Sequence, residues 1–136
     1  MRSSTALNTI QALRARSGSS HTVLLTTFRR NGQGVSTPVG MRSEGGRLYF
    51  MTPASTWKAR RIASDSHVRL SLCTFQGEPL GAEANGTAHR LPGKEAKQAR
   101  KLLCAGFYGW LVNTFFMLRY PGDKAALYEV SVLSEE

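Results

Sequence analysis

From His21 the chain runs Thr22-Val23-Leu24-Leu25-Thr26-Thr27-Phe28, a β-branched stretch of strand length. Asn31-Gly32-Gln33-Gly34 follows, where Asn and Gly tolerate the positive φ of a primed hairpin turn. Beyond it Val35, Thr37, Val39 and Met41 alternate with Ser36, Pro38, Gly40 and Arg42, the period of two of a half-buried strand. Glu44-Gly45-Gly46 marks a second turn before Arg47-Leu48-Tyr49-Phe50-Met51-Thr52. Three strands joined by two tight turns predict an antiparallel meander rather than a βαβ unit.

The pattern then changes period. Pro53-Ala54-Ser55-Thr56 leads into a short helix, Trp57 to Ala63, which Asp65-Ser66 ends. His67 to Thr74 predicts a fourth strand and Gly81 to Leu91 a fifth, separated by the turn Gln76-Gly77-Glu78-Pro79; Gly86 marks a bulge or a close backbone approach. Lys94 to Gly106 predicts a helix with its charges outward, and Gly109 to Arg119 a more apolar one, stopped by Tyr120-Pro121-Gly122-Asp123. Ala126 to Val132 supplies a last strand. Near the N-terminus, Ser4 or Thr5 is placed to cap a helix through Ala6, Leu7, Ile10, Leu13 and Arg14. No repeat or linker divides residues 1–136, so one mainly β domain is expected, a barrel of five or six antiparallel strands with helical caps.

Composition narrows the function. A hydrophobic share of 41% excludes a disordered chain. The net charge of +9, from 18 basic and 9 acidic residues, points to an anionic partner: nucleic acid, acidic lipid or a phosphorylated small molecule. Cys73 and Cys104 are too few for a disulfide framework or a zinc site and read as thiols of a reducing compartment. The first residues lack the apolar run of a signal peptide, and the most apolar stretch, 107–118, is too short to cross a bilayer. A cytoplasmic protein without membrane insertion is expected.

Most of the chemistry sits in Ser55-Thr56-Trp57-Lys58-Ala59-Arg60-Arg61-Ile62. With Ser55 or Thr56 as N-cap, three cations and no acid fall in the first two turns, where free N–H groups already carry partial positive charge. That arrangement suits a docked anion; the alternative is a solvated basic helix. Helical spacing groups Ala59, Ile62 and Ala63 toward the core, sets Lys58 and Arg61 beside them, and sends Arg60 away, so Lys58 and Arg61 are the phosphate candidates. His21, His67 and His89 lack metal-ligand spacing, no Ser or Cys sits in a nucleophile elbow, and the acids lie mostly in turns. An enzyme with so few catalytic side chains draws its chemistry from a cofactor.

Taken in order, residues 23–28, Val35-Ser36-Thr37-Pro38-Val39, 46–52, 58–62 and His67-Val68-Arg69-Leu70 resemble the pyridoxamine-phosphate-oxidase-like FMN-binding split-barrel superfamily. Within it they are similar to the actinobacterial coenzyme F420-dependent (deazaflavin) reductases, as are residues 77–81 and 85–88. The resemblance covers residues 20–91 well and the C-terminal part loosely. It implies a split barrel of about six antiparallel strands, and a homodimer with cofactor at the subunit interface. It further implies hydride transfer from reduced F420, or FMN, to a small organic acceptor. Carried over by motif, Ser36, Thr37, Pro38 and Val39 edge the ring, Met51 and Thr52 offer backbone and hydroxyl contacts, and Lys58 with Arg61 holds the phosphate. Gly40-Met41-Arg42 stands where many relatives carry a bulky aromatic, which makes Gly40 and Met41 the candidate substrate contacts; Trp57 replaces a residue often basic or polar in relatives. The acidic polyglutamate tail of F420 suits the basic surface, yet FMN satisfies the same phosphate site.

Two rivals stay open. One binds or sequesters the cofactor without turnover. The other uses the basic surface for nucleic acid, which requires basic and aromatic residues interleaved on one sheet face. Here Phe107, Tyr108, Trp110, Phe115 and Phe116 cluster on an apolar helix instead, so no nucleic-acid partner is expected.

Overall fold

The computed structural model describes residues 10–14, 19–74, 76–104, 111, 114, 116–119, 122 and 124–135. The described residues form six antiparallel strands: β1 (Ser19–Phe28), β2 (Gly34–Glu44), β3 (Arg47–Pro53), β4 (His67–Leu72), β5 (Ala84–Arg90) and β6 (Ala125–Glu135). They close in the order β1-β2-β3-β6-β5-β4, with β4 returning to β1. Three described helices accompany them: α1 (Ile10–Arg14), α2 (Trp57–Ser64) and α3 (Gly93–Leu103).

The alternation of apolar and polar positions sets which side of each strand fills the barrel. Val23, Leu25, Leu48, Phe50, Val68, Leu70, Ala88, Tyr128 and Val130 point inward and are buried, with Phe50 stacked on Tyr128 at 4.9 Å. Each end is closed by a short helix. Ile10 and Leu13 of α1 join the core, and Arg14 Nε donates to the Gly46 carbonyl at 3.1 Å, beside the β2–β3 turn. At the other end α2 buries Ala59 and Ile62, and Arg61 Nε donates to Thr27 Oγ1 at 2.7 Å. Helix α3 lies across β3 and β6.

The turns divide the work differently from the sequence expectation. Only Gly32 of the first connection has positive φ (+89°); Asn31 does not, so this is no primed two-residue turn. Gly32 N–H donates to the Arg29 carbonyl, Arg29 N–H to the Gln33 carbonyl, and Asn31 Oδ1 accepts from Gln33 N–H, giving a five-residue connection. The second turn is the two-residue one. Gly45 and Gly46, at φ +59° and +80°, join the paired residues Glu44 and Arg47.

Gly86 combines both features expected of it. The β5–β6 register shifts at Asn85/Gly86, and a Cβ at Gly86 would lie 2.9 Å from the Ser131 carbonyl oxygen. Strand β5 starts at Ala84 rather than Gly81, because ladder pairing with β4 begins at Ala84↔Leu70 while the Gly81 carbonyl accepts from the Ser71 hydroxyl. Likewise β4 stops at Leu72, Cys73 forming only an isolated bridge with Pro79. The cap at Ser4 or Thr5 falls outside the described residues, as do 109, 110, 112, 113 and 115 of the second helix expected over Gly109 to Arg119; its described residues, 111, 114 and 116–119, are helical.

Candidate functional site

The closed ladder opens between β2 and β3. These strands pair only at Arg42↔Tyr49, Ser43↔Leu48 and Glu44↔Arg47, although β2 stays paired with β1 from Gly34 to Ser43 and β3 with β6 through Pro53. Beyond Tyr49 each strand therefore presents one free backbone edge to the other. The two-residue turn fixes which groups those are. Glu44 and Arg47 form the hydrogen-bonded pair beside it, so on β2 the even-numbered residues direct N–H and C=O toward β3. On β3 the odd-numbered residues face β2.

Ser36, Pro38, Gly40 and Met51 accordingly turn main-chain groups into the split. Pro38 sits where its missing N–H removes no ladder bond. The side chains of the predicted ring contacts do not all share a face. Ser36 and Pro38 are exposed outside the barrel, whereas Thr37 and Val39 turn inward opposite Leu25 and Val23. Thr37 Oγ1 is buried with no hydrogen-bond partner among the described residues. The two substrate candidates also separate: Gly40 is exposed with nothing within 4 Å of an added Cβ, while Met41 is fully buried in the core. The Met41 side chain therefore faces the core and not the outer surface of the barrel. Gly77 of the β4–β5 connection approaches Pro38 closely enough that a Cβ there would stand 3.5 Å from Pro38 Cγ.

Three residues link the end of β3 to α2, and hydroxyls fix that link. Of the two candidates, Thr56 is the N-cap; its Oγ1 accepts from Ala59 N–H at 3.3 Å and donates to the Pro53 carbonyl at 2.9 Å. Having used its one proton, Thr56 accepts from the Thr52 hydroxyl 3.2 Å away. Thr52 is buried, so its donor serves the start of α2.

Helix α2 has no acid in its first turn, and none of the described ion pairs involves Lys58, Arg60 or Arg61. Lys58 is half-buried; loss of hydration, and then the nearby Arg61 cation, holds its ammonium below the usual lysine pKa. An anion beside Lys58 would oppose both effects. Arg60, expected to point away from Lys58 and Arg61, lies over the Trp57 indole at 5.0 Å, and Arg61 is tied to Thr27. Trp57 is 68% exposed, not core. Excess donors, no acid and main-chain edges left unpaired among the described residues fit a phosphate-bearing, hydrogen-bonding cofactor.

The free strand edges were missed by side-chain reasoning; their signal was Pro38 inside an otherwise regular strand pattern. No group of His, Cys, Asp or Glu among the described residues could hold a metal ion. No described helix is long and apolar enough to cross a membrane.

The family model described as pyridoxamine 5'-phosphate oxidase matches residues 9–129. No curated protein matches the chain in sequence. Among solved structures, an F420 reductase shares the fold with a TM-score of 0.60 at 18% identity, over 93% of this chain and 94% of that one. A heme binding protein from Mycobacterium smegmatis has TM-score 0.60 at 18% identity over 90% of this chain, which spans 49% of that one. A protein of unknown function from Agrobacterium tumefaciens has TM-score 0.61 at 20% identity over 84% of this chain, here 51% of the other. At these identities the likeness is one of fold.

Proposed function

Because the chain belongs to the pyridoxamine 5'-phosphate oxidase family, we propose that it binds a flavin-type cofactor along the β2–β3 split, with the phosphate at the start of α2. The observation that carries this reading is the half-buried, acid-free pairing of Lys58 and Arg61 at the end of a strand whose edge is open. Lys58, Arg61 and the first amides of α2 would hold the phosphate. Main-chain groups of Ser36, Pro38, Gly40 and Met51 would meet the polar edge of the ring system, and Thr37 and Val39 would support β2 from inside. Thr52 acts by fixing Thr56.

The favoured cofactor is coenzyme F420, with FMN as the alternative. A net charge of +9 complements the polyglutamate tail of F420 better than it does an uncharged extension. When bound, such a cofactor supplies two-electron transfer. The chain's part is to bind and orient it and to exclude water beside the acceptor. Gly40, with open space beyond its Cα, leaves room for a small organic acceptor next to β2. The working form in this reading is a cytoplasmic homodimer whose partner covers the split, with Cys73 and Cys104 as free thiols.

The test is steady-state oxidation of reduced F420 and reduced FMN with quinones, enones and nitro compounds as acceptors. Turnover above the no-protein rate, lost in Lys58→Ala, supports an oxidoreductase. Tight binding without turnover on any acceptor would identify a cofactor-sequestering protein instead.

A further inference from the structure

A cleft of roughly 600 Å³ lies between the β1–β2 connection and α2, apart from Lys58, which does not line it. Arg29 and Arg30 approach it from the connection and Arg60 and Arg61 from the helix, while Trp57 and Phe28 supply flat apolar surface. No carboxylate lines it. Four guanidinium groups facing one small space repel each other unless an anion enters. Three of the four are also held in place. Arg61 Nε donates to Thr27 at 2.7 Å, Arg29 NH1 donates to Gln33 Oε1 at 3.3 Å, and Arg60 rests on the Trp57 ring.

We propose that this cleft is a second site, for a nucleoside polyphosphate. A triphosphate carries about four negative charges at neutral pH, which matches four arginines where a monophosphate does not. Planar guanidinium forks suit phosphate oxygens better than point charges do. The exposed indole offers an aromatic base a stacking face, and a cleft of this size encloses a small molecule rather than a polymer. Arg61 borders both sites, whereas Arg30, Trp57 and Arg60 have no role in the cofactor reading, so variants at Arg30 and Trp57 tell the two proposals apart.

The experiment is titration with ATP and with inorganic tripolyphosphate at physiological ionic strength, followed by tryptophan fluorescence and calorimetry, on protein with and without saturating cofactor. Variants are Arg30→Ser, Trp57→Leu and, as a control of equal charge change on another face, Arg47→Ser. Arg30 lies in an exposed connection, so its replacement leaves folding intact; thermal melts check Trp57→Leu.

The expected result is ATP binding that persists in protein saturated with cofactor. It weakens about tenfold in Arg30→Ser and stays within about twofold in Arg47→Ser. Trp57→Leu weakens ATP but not tripolyphosphate. Equal losses in Arg30→Ser and Arg47→Ser would reduce the effect to diffuse surface charge and overturn the site. Full displacement of ATP by cofactor, tighter binding of a single-stranded oligonucleotide, or no ATP binding at all would overturn it too.

Discussion

Replacing Thr56 by Ala tests whether hydroxyl chemistry fixes the start of α2. The substitution removes the acceptor for Ala59 N–H, the bond to the Pro53 carbonyl, and the acceptor used by the buried Thr52 hydroxyl. Loss of the cap costs about 1 kcal/mol. Leaving the Thr52 donor unsatisfied costs about 1–2 kcal/mol more, so about 2–3 kcal/mol is expected in total. For 136 residues the unfolding entropy is about 0.3 kcal/mol/K, which converts that loss to about 7–10 °C in Tm. Thermal and urea unfolding of wild type, Thr56→Ala and Thr56→Ser measure it. Serine keeps the hydroxyl and is expected to recover most of the loss. A Thr56→Ala melt within about 2 °C of wild type would refute the reasoning. So would equal losses for Ala and Ser.

Three further outcomes follow from the same geometry. Lys58→Ala is expected to weaken cofactor binding by about 1–3 kcal/mol, about 5- to 150-fold in Kd, read by fluorescence titration. Burial and Arg61 hold the folded Lys58 pKa below 10.5, so the folded chain binds this proton less well than the unfolded one. The charged form thus costs stability below the folded value, and that cost fades as pH rises toward 10.5. Cofactor-free Lys58→Met should therefore be more stable than wild type in urea at pH 7, with the gap closing at high pH. Gly86→Ala brings a Cβ to 2.9 Å from the Ser131 carbonyl and is expected to destabilise by about 1–3 kcal/mol in the same assay. Gly40→Leu points into open space and should leave the melt unchanged while altering acceptor preference in the turnover assay.

Residue chemistry shows why part of this was legible in the sequence. Alternation on β2 and β3 placed Val39, Met41, Leu48 and Phe50 inside and Arg42 and Tyr49 outside, because a slip of one residue would expose every apolar side chain. The same alternation divides Ser36 and Pro38 from Thr37 and Val39, so a motif read as a string cannot be one surface. Met41 illustrates the cost: proximity in sequence to Gly40 says nothing about which side of the sheet it faces. Beyond the hint of Pro38 the extent of the split was not legible, since it depends on where β2 and β3 stop pairing, a property of barrel closure rather than of either strand. Arg29 and Arg30 carry no signal in the sequence, because their convergence with Arg60 requires the connection to fold beside α2.

The account depends on a phosphate-bearing, flavin-type cofactor being held at the start of α2. Its most direct test is equilibrium titration of the purified protein with coenzyme F420 and, separately, with FMN, each followed by its own fluorescence, in wild type and Lys58→Ala. The account predicts micromolar association of at least one of them and a clear weakening in the variant. Association of neither, or identical affinity in both proteins, would contradict it.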